Sequence, residues 1–317
     1  MTSECKVEAL DPLSNSKFIG KKFSAKNNRI VVIAFNNGIK YEALRRFFVY
    51  LSKYYDYSRH SFLFFTDDLT ESQTLFKKAA KDLFVDADYS FVRGSWLKNK
   101  FFVKYGVYLT HKFLVEKTSF RQKILYLDCD MLIQGNVFDL TCRLNSDEMH
   151  LCLEQTFPYS SNLYVNIMNP DKSIYKEGLK ASNLAEVQRL FFTSCLDNHF
   201  YFPTINTGVM VFSSKFMQEL CKAIKLNSDF VKLFNLRKHP YLEQLAVNKH
   251  LHLFRKRVKF LDPVFNWQLQ NAHNEVYSTK KGFFTRNDEP VINLHFNGDL
   301  GKKREKTVKE VVESWEQ

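Results

Sequence analysis

Apolar and polar positions alternate in blocks along the first 130 residues. Residues 29–35 form an apolar run that breaks at Asn36-Asn37-Gly38, which predicts a buried strand and a turn. Residues 41–55 carry apolar side chains at helical spacing. A second strand is expected over 61–66, ending at Asp67-Asp68, and a helix over 75–84. A third strand over 89–92 and a helix over 101–115 precede a fourth strand over 124–127, which runs into Asp128-Cys129-Asp130. Strands alternating with helices predict βαβ units and an α/β fold with a mostly parallel sheet. In such open sheets ligands bind beyond the carboxyl ends of the strands. Three of these strands end in polar turns, so their side chains are expected to gather along one edge.

The second half is less regular. Residues 156–183 read as an inserted loop region. A strand is expected over 204–212, entered through Asn206-Thr207-Gly208, followed by a helix over 216–234. A helix over 241–253 presents Glu243, Gln244 and Asn248; a strand over 291–294 ends at His295; a mixed-charge helix covers 303–315.

Composition narrows the chemistry. The chain has 31 Phe but only 10 Gly, and neither GxGxxG nor GxxxxGK[ST] occurs, which argues against a Rossmann fingerprint or a P-loop. Lys plus Arg exceed Asp plus Glu by 46 − 34, or +12, which suits an anionic partner or simply a basic surface. The six cysteines form no CxxC pair, and several sit in apolar runs, as buried free thiols do. The first 26 residues are polar with no apolar signal core, and no stretch is long and apolar enough to span a bilayer. The expectation is a cytoplasmic protein.

Asp128 and Asp130 are the strongest chemical candidates. Either strict strand alternation or a bend would let both carboxylates reach one cation. Carboxylate oxygens suit Mg²⁺ or Mn²⁺, ions that also take diphosphate oxygens. The plain alternative is an Asp-Cys-Asp that only caps a strand. A dehalogenase-like phosphatase also begins with an apolar strand and DxD, but Leu132 stands where that family has Thr or Val.

The segment from Lys123 to Leu140, KILYLDCDMLIQGNVFDL, carries more than the triplet. It resembles the extended DxD block of glycosyltransferase family 8, which includes glycogenin-like and lipopolysaccharide galactosyl- or glucosyltransferase enzymes. Ile205-Asn206-Thr207-Gly208-Val209-Met210 resembles the family's N-[ATS]-G-V strand, and Glu243-Gln244 to Asn248 its D-Q-x-x-x-N helix start. His295-Phe296-Asn297-Gly298 resembles its H-x-x-G block, and Asn266-Trp267 stands where it often has an Asn-aromatic pair. The four blocks occur in family order over roughly residues 29–303.

The resemblance implies a GT-A fold with helices on both faces of the sheet. It implies a polar extension over 1–28, a nucleotide-binding half over 29–130, a sugar and acceptor half over 131–303, and a C-terminal helix over 304–317. Its metal ligands would be Asp128, Asp130 and His295. Ala34, Asn36, Asn37, Asp128, Asn206, Gly208, Gly298 and Lys302 would bind the donor. Glu243 or Gln244 would stabilise the transition state of a retaining transfer. The implied cofactor is Mn²⁺ or Mg²⁺, the donor a UDP-sugar, and the acceptor a carbohydrate, lipid-linked glycan or protein.

This chain departs from the family at three places. Asn36-Asn37 stands where many members carry acidic residues, Glu243 replaces the usual Asp, and the K-P-W ending after H-x-x-G is absent, with Lys302 and Lys303 following Gly301. The basic run over 249–259 suits an anionic membrane or acceptor, and equally a strand and helix end with solvated lysines. Two other readings compete. A non-catalytic basic nucleic-acid-binding protein would explain the charge, but the aromatics lie in apolar runs and no nucleic-acid motif occurs, so nucleic acid is not an expected partner. A degenerate nucleotide-sugar binder is opposed by the intact Asp128, Asp130 and His295.

Overall fold

The computed structural model describes residues 17–20, 30–36, 41–56, 58–66, 74, 89–93, 122–145, 147–154, 205–226, 247, 250–270, 276–285 and 288–315. The chain runs through β1 (Lys17–Gly20), β2 (Ile30–Asn36), α1 (Tyr41–Ser52), β3 (His60–Thr66), β4 (Tyr89–Arg93), β5 (Lys123–Asp128) and β6 (Met131–Ile133). It continues with α2 (Asp139–Cys142), β7 (Met149–Leu153), β8 (Ile205–Ser213) and α3 (Ser214–Leu226). Beyond a 3₁₀ turn (His252–Arg257) come β9 (Val258–Phe260), β10 (Trp267–Gln268), β11 (Val276–Thr279), β12 (Gly282–Thr285), β13 (Asn293–His295) and α4 (Gly298–Trp315).

The central sheet has eight strands in the order β1-β4-β3-β2-β5-β8-β7-β9. β4, β3, β2 and β5 run parallel to one another, as βαβ connections require. β8 is antiparallel to both β5 and β7, and β1 is antiparallel to β4. The expected α/β, mostly parallel sheet is thus present, with β8 antiparallel inside it and β1 antiparallel at one edge. Two small sheets were not expected: β10-β13-β6 and the hairpin β11-β12.

Helix α1 shows why the first half folds as it does. Leu44, Phe47, Phe48 and Leu51 recur at helical spacing and are buried, as is Tyr55 just beyond the helix end, while Arg45 is exposed. Phe48 meets Phe62 and Phe64 of β3 edge-on, with ring centroids 6.0 and 5.0 Å apart. Each such ring contributes roughly 1.5–3 kcal/mol by leaving water. β5 and β8 are buried along nearly their whole length, as central strands covered on both faces must be.

Three expectations shift. Lys17–Gly20, inside the expected polar extension, pairs with β4 as an edge strand. The last strand covers Asn293–His295 rather than 291–294. The C-terminal helix begins at Gly298, not at 303. The cause lies at Gly301, where a Cβ would stand 2.7 Å from the Phe296 carbonyl carbon. Its lack of a side chain lets the first helical turn lie against the backbone that follows β13. The helices expected over 75–84 and 101–115, the loop region 156–183 and residues 227–234 lie outside the described residues. Among the described residues no helix is long and apolar enough to cross a membrane.

Candidate functional site

The site forms where the central sheet hands the chain to the small sheet. β5 ends at Asp128, and Cys129 and Asp130 form a bend before β6. Cys129 is fully buried in the main core and anchors that bend. β6 pairs with β13 so that Met131 lies opposite His295. The Phe296 N–H donates to the Asp130 carbonyl at 2.9 Å, and the Leu269 N–H donates to the His295 carbonyl at 2.9 Å. His295 is therefore clamped through its backbone between β6 and the chain after β10.

This clamp places the His295 Nε2 3.2 Å from Asp130 Oδ1 and 3.8 Å from Asp128 Oδ2. One ligand atom from each of the three residues lies within 4.8 Å of the others. Ligands about 2.1 Å from one ion stand up to about 4.2 Å apart, so the set fits a single cation after small closure. Two carboxylates and an imidazole match Mn²⁺ or Mg²⁺ better than a thiolate-seeking metal. Asp128 is further oriented by Tyr126, two residues earlier on the same strand face, whose hydroxyl donates to Asp128 Oδ1 at 2.8 Å.

Behind the cluster runs a chain of buried amides. In β8 the pairing with β7 slips between Leu151 and Cys152, so Cys152 faces Asn206 while Leu151 faces Met210. Such an irregularity re-aims side chains. Asn206 Oδ1 accepts from the Gly208 N–H at 2.8 Å and from Asn266 Nδ2 at 2.9 Å, and its Nδ2 donates to Glu154 Oε2 at 3.1 Å. Asn266 Oδ1 lies 2.8 Å from His295 Nδ1. Gln270 donates to the other Glu154 oxygen. Gly208 has a steric role in this arrangement, since a Cβ there would lie 2.4 Å from His295 Cε1. Cys152, beside Asn206, is no nucleophile: burial pushes its thiol far above the usual range.

Asp128, Asp130, Asn206, Gly208 and His295 are thus brought together. Asn36 ends β2 opposite Thr66 of β3, and its neighbour Phe35 pairs with Asp128, so these strand ends share one sheet edge. Ala34 pairs with Leu127 one step back. Gly298 opens α4 three residues after His295, and Lys302 is exposed one turn later. Asn37, Asp67, Asp68, Glu243, Gln244 and Asn248 lie outside the described residues. In the basic run, His250 is buried and Arg257 is built into the fold. Its guanidinium lies 5.0 Å from the Phe216 ring centre, pairs with Glu219, and donates to the Asp147 carbonyl at 2.6 Å. Glu154 and Gln270 were not singled out by sequence, Tyr126 entered only as part of the extended DxD block, and Asn266 carried only the Asn-aromatic signal. The contact of Tyr126 with Asp128 could have been found from its place two residues before it; Glu154 had no local signal.

No protein-family model matches the chain, and no curated protein sequence matches it. Solved structures do. The galactosyltransferase LgtC in complex with donor and acceptor sugar analogs aligns over 90% of this chain and 95% of its own at 14% identity, with a TM-score of 0.51. Mouse xyloside xylosyltransferase 1 in its apo form aligns over 87% and 99% at 14% identity, with a TM-score of 0.52. An active-site mutant of LgtC aligns over 89% and 95% at 13% identity, with a TM-score of 0.50. The chain has the GT-A fold that these glycosyltransferases share.

Proposed function

We propose that the chain is a metal-dependent, retaining glycosyltransferase of the family 8 type that moves a hexose from a UDP-sugar to an acceptor hydroxyl. The observation that supports this most is the meeting of Asp128, Asp130 and His295 at the exit of β5, at the carboxyl edge of a parallel sheet. Mn²⁺ or Mg²⁺ held there would act as a Lewis acid toward a diphosphate leaving group.

The protein's own residues would do the rest. Ala34, Asn36 and Asn37, at the end of β2, would border the base and ribose. An Asn amide both donates and accepts, so it matches a uracil edge. Gly298, at the start of α4, and Lys302 one turn on would receive the diphosphate, since helix N-termini favour anions. Asn206 and Gly208 would border the donor sugar. Glu243 or Gln244 would stabilise positive charge developing on that sugar by placement and electrostatics. A carbohydrate, lipid-linked glycan or protein hydroxyl would attack from the face the diphosphate leaves. A cytoplasmic setting belongs to the same proposal, in keeping with the free thiols of Cys129, Cys142 and Cys152.

A panel of nucleotide sugars, assayed for Mn²⁺-dependent release of nucleoside diphosphate, tests the proposal. UDP-hexoses are expected to be hydrolysed above the rate in chelator. Failure of every sugar nucleotide to bind or turn over would refute a transferase. Preference for GDP-sugars would refute only the base assignment.

A further inference from the structure

We propose that Asn266 and Asn206 form a relay that sets the tautomer of His295, with its polarity fixed by the Gly208 backbone and by Glu154. The proposal concerns positioning residues and rests on the metal-site reading above.

The inference follows from which groups can donate. A backbone N–H only donates, and a carboxylate only accepts. Asn206 touches one of each: the Gly208 N–H at 2.8 Å and Glu154 Oε2 at 3.1 Å. Its amide therefore has one satisfactory orientation, with Oδ1 toward Gly208 and Nδ2 toward Glu154. Asn266 reaches the same Oδ1 at 2.9 Å and must present its Nδ2 there. That turns its own Oδ1 toward His295 Nδ1, 2.8 Å away. An oxygen acceptor at that distance requires a proton on Nδ1, so Nε2 is the ring nitrogen left to offer a lone pair, and it faces Asp130 and Asp128.

Reversing any amide would set donor against donor or acceptor against acceptor among buried groups, which native interiors avoid. Asn266 is fully buried, Asn206 5% exposed and His295 2% exposed, so water is poorly placed to repair a mismatch. The consequence at the cluster is specific. An unprotonated Nε2 at 3.2 Å from a carboxylate oxygen is a contact between two acceptors. It becomes favourable once a cation sits between them. The relay thus fixes Nε2 as the nitrogen turned toward an ion, as partners behind metal-bound histidines generally do.

The tautomer can be read directly by nitrogen-15 NMR of metal-free, histidine-labelled protein, with His295→Gln identifying the signals. Spectra are taken on the alkaline plateau, where the nitrogen shifts no longer change with pH and report the neutral tautomers. The wild type is expected to carry its proton on Nδ1. Asn266→Leu, of similar volume, should populate the other tautomer and weaken Mn²⁺ binding about 10- to 100-fold in a spin-resonance titration. Asn266→Asp keeps an acceptor for Nδ1 and should keep the wild-type tautomer and bind Mn²⁺ more tightly than the Leu variant. A residue that merely filled space would rank the two variants the other way. A wild-type proton on Nε2, or a wild-type tautomer retained in Asn266→Leu, overturns the relay. The expected tautomers with no Mn²⁺ binding by the wild type would support the relay and overturn the metal reading instead.

Discussion

The imidazole of His295 occupies the space that a side chain at Gly208 would need: a Cβ there would lie 2.4 Å from Cε1, 2.8 Å from Nδ1 and 2.9 Å from Asn206 Oδ1. The two residues lie on strands of different sheets, so this contact fixes how closely β8 and β13 approach. His295 cannot retreat easily, because its backbone is bonded on both sides to β6 and the chain after β10.

Gly208→Ala should therefore act on the metal site and on the fold together. Overpacking of this kind costs roughly 1–3 kcal/mol. Displacement of the imidazole should weaken Mn²⁺ binding at least about 10-fold. Thermal melting and a Mn²⁺ titration of the same variant check both effects. Unchanged affinity would show that the ring relaxes without leaving its place.

Metal removal should be felt as lost stability as well as lost turnover. An ion bound only by the folded chain stabilises it by about 2.7 kcal/mol at a hundredfold excess over its dissociation constant. Asp130→Ala should melt near the metal-free wild type and gain nothing from Mn²⁺, because the Asp130 side chain is 30% exposed and adds little to packing. Chelation should abolish donor hydrolysis in the wild type. Mn²⁺-induced stabilisation that persists in Asp130→Ala would remove that residue from the ligand set.

The split between what was legible in the sequence and what was not has physical causes. β2, β3 and β5 are apolar runs in the middle of the sheet that end in Asn36, Thr66 and Asp128, so a run of apolar letters followed by polar ones marked both strand and site edge. Asp128 and Asp130 were readable for that reason. The three-stranded sheet was not: the strand ending at His295 was expected, but its partners β6 and β10 cover three and two residues and leave no periodic signal. The clamp on His295 depends on that sheet. Glu154 was invisible because its partner Asn206 is 52 residues away, a separation no local pattern reports. Gly208 was read as a donor-sugar contact, and its steric match to His295 needed coordinates.

Acid should loosen the first half of the domain through His60. Its ring stacks on Phe138 with centroids 4.0 Å apart, and its Nδ1 accepts from the Asp56 N–H at 2.9 Å. Burial pushes its pKa down from 6.5 to about 4, against the raising effect of Asp56. The folded value lies below the unfolded one, so the unfolded chain takes up the proton first as pH falls. Stability from the neutral ring is full above about pH 6.5 and is lost as pH drops toward 4, by about 3 kcal/mol in all. His60→Gln keeps an acceptor for Asp56 but does not titrate. Its denaturant midpoint should fall less than that of the wild type between those pH values; parallel curves would exclude His60 as the acid-sensitive group.

The same sequence block that ends in chemistry at Asp130 ends in architecture at Gln134, and substitutions at its two ends should separate cleanly. Gln134 uses both ends of its amide on the backbone around the β11-β12 hairpin. Its Nε2 donates to the Phe283 carbonyl at 2.8 Å and also to the Val291 carbonyl, and its Oε1 accepts from the Phe283 N–H at 3.1 Å. Its own carbonyl accepts from the Tyr54 hydroxyl at 2.6 Å, which ties the hairpin to the end of α1. Next to it, a Cβ on Gly135 would lie 2.5 Å from Ile292 Cδ1, so a side chain there would have to push the Ile292 side chain aside. Gln134→Leu keeps the volume and removes three hydrogen bonds, leaving backbone groups without their partner. The expected cost is about 2–4 kcal/mol of stability. Mn²⁺ affinity should stay within about threefold of the wild type, because β6 remains paired with β13 and holds Asp130 against His295. Denaturant unfolding and Mn²⁺ titration on one preparation decide the matter. A large loss of affinity with little loss of stability would mean that the hairpin, and not the strand pairing, holds the ligands in place.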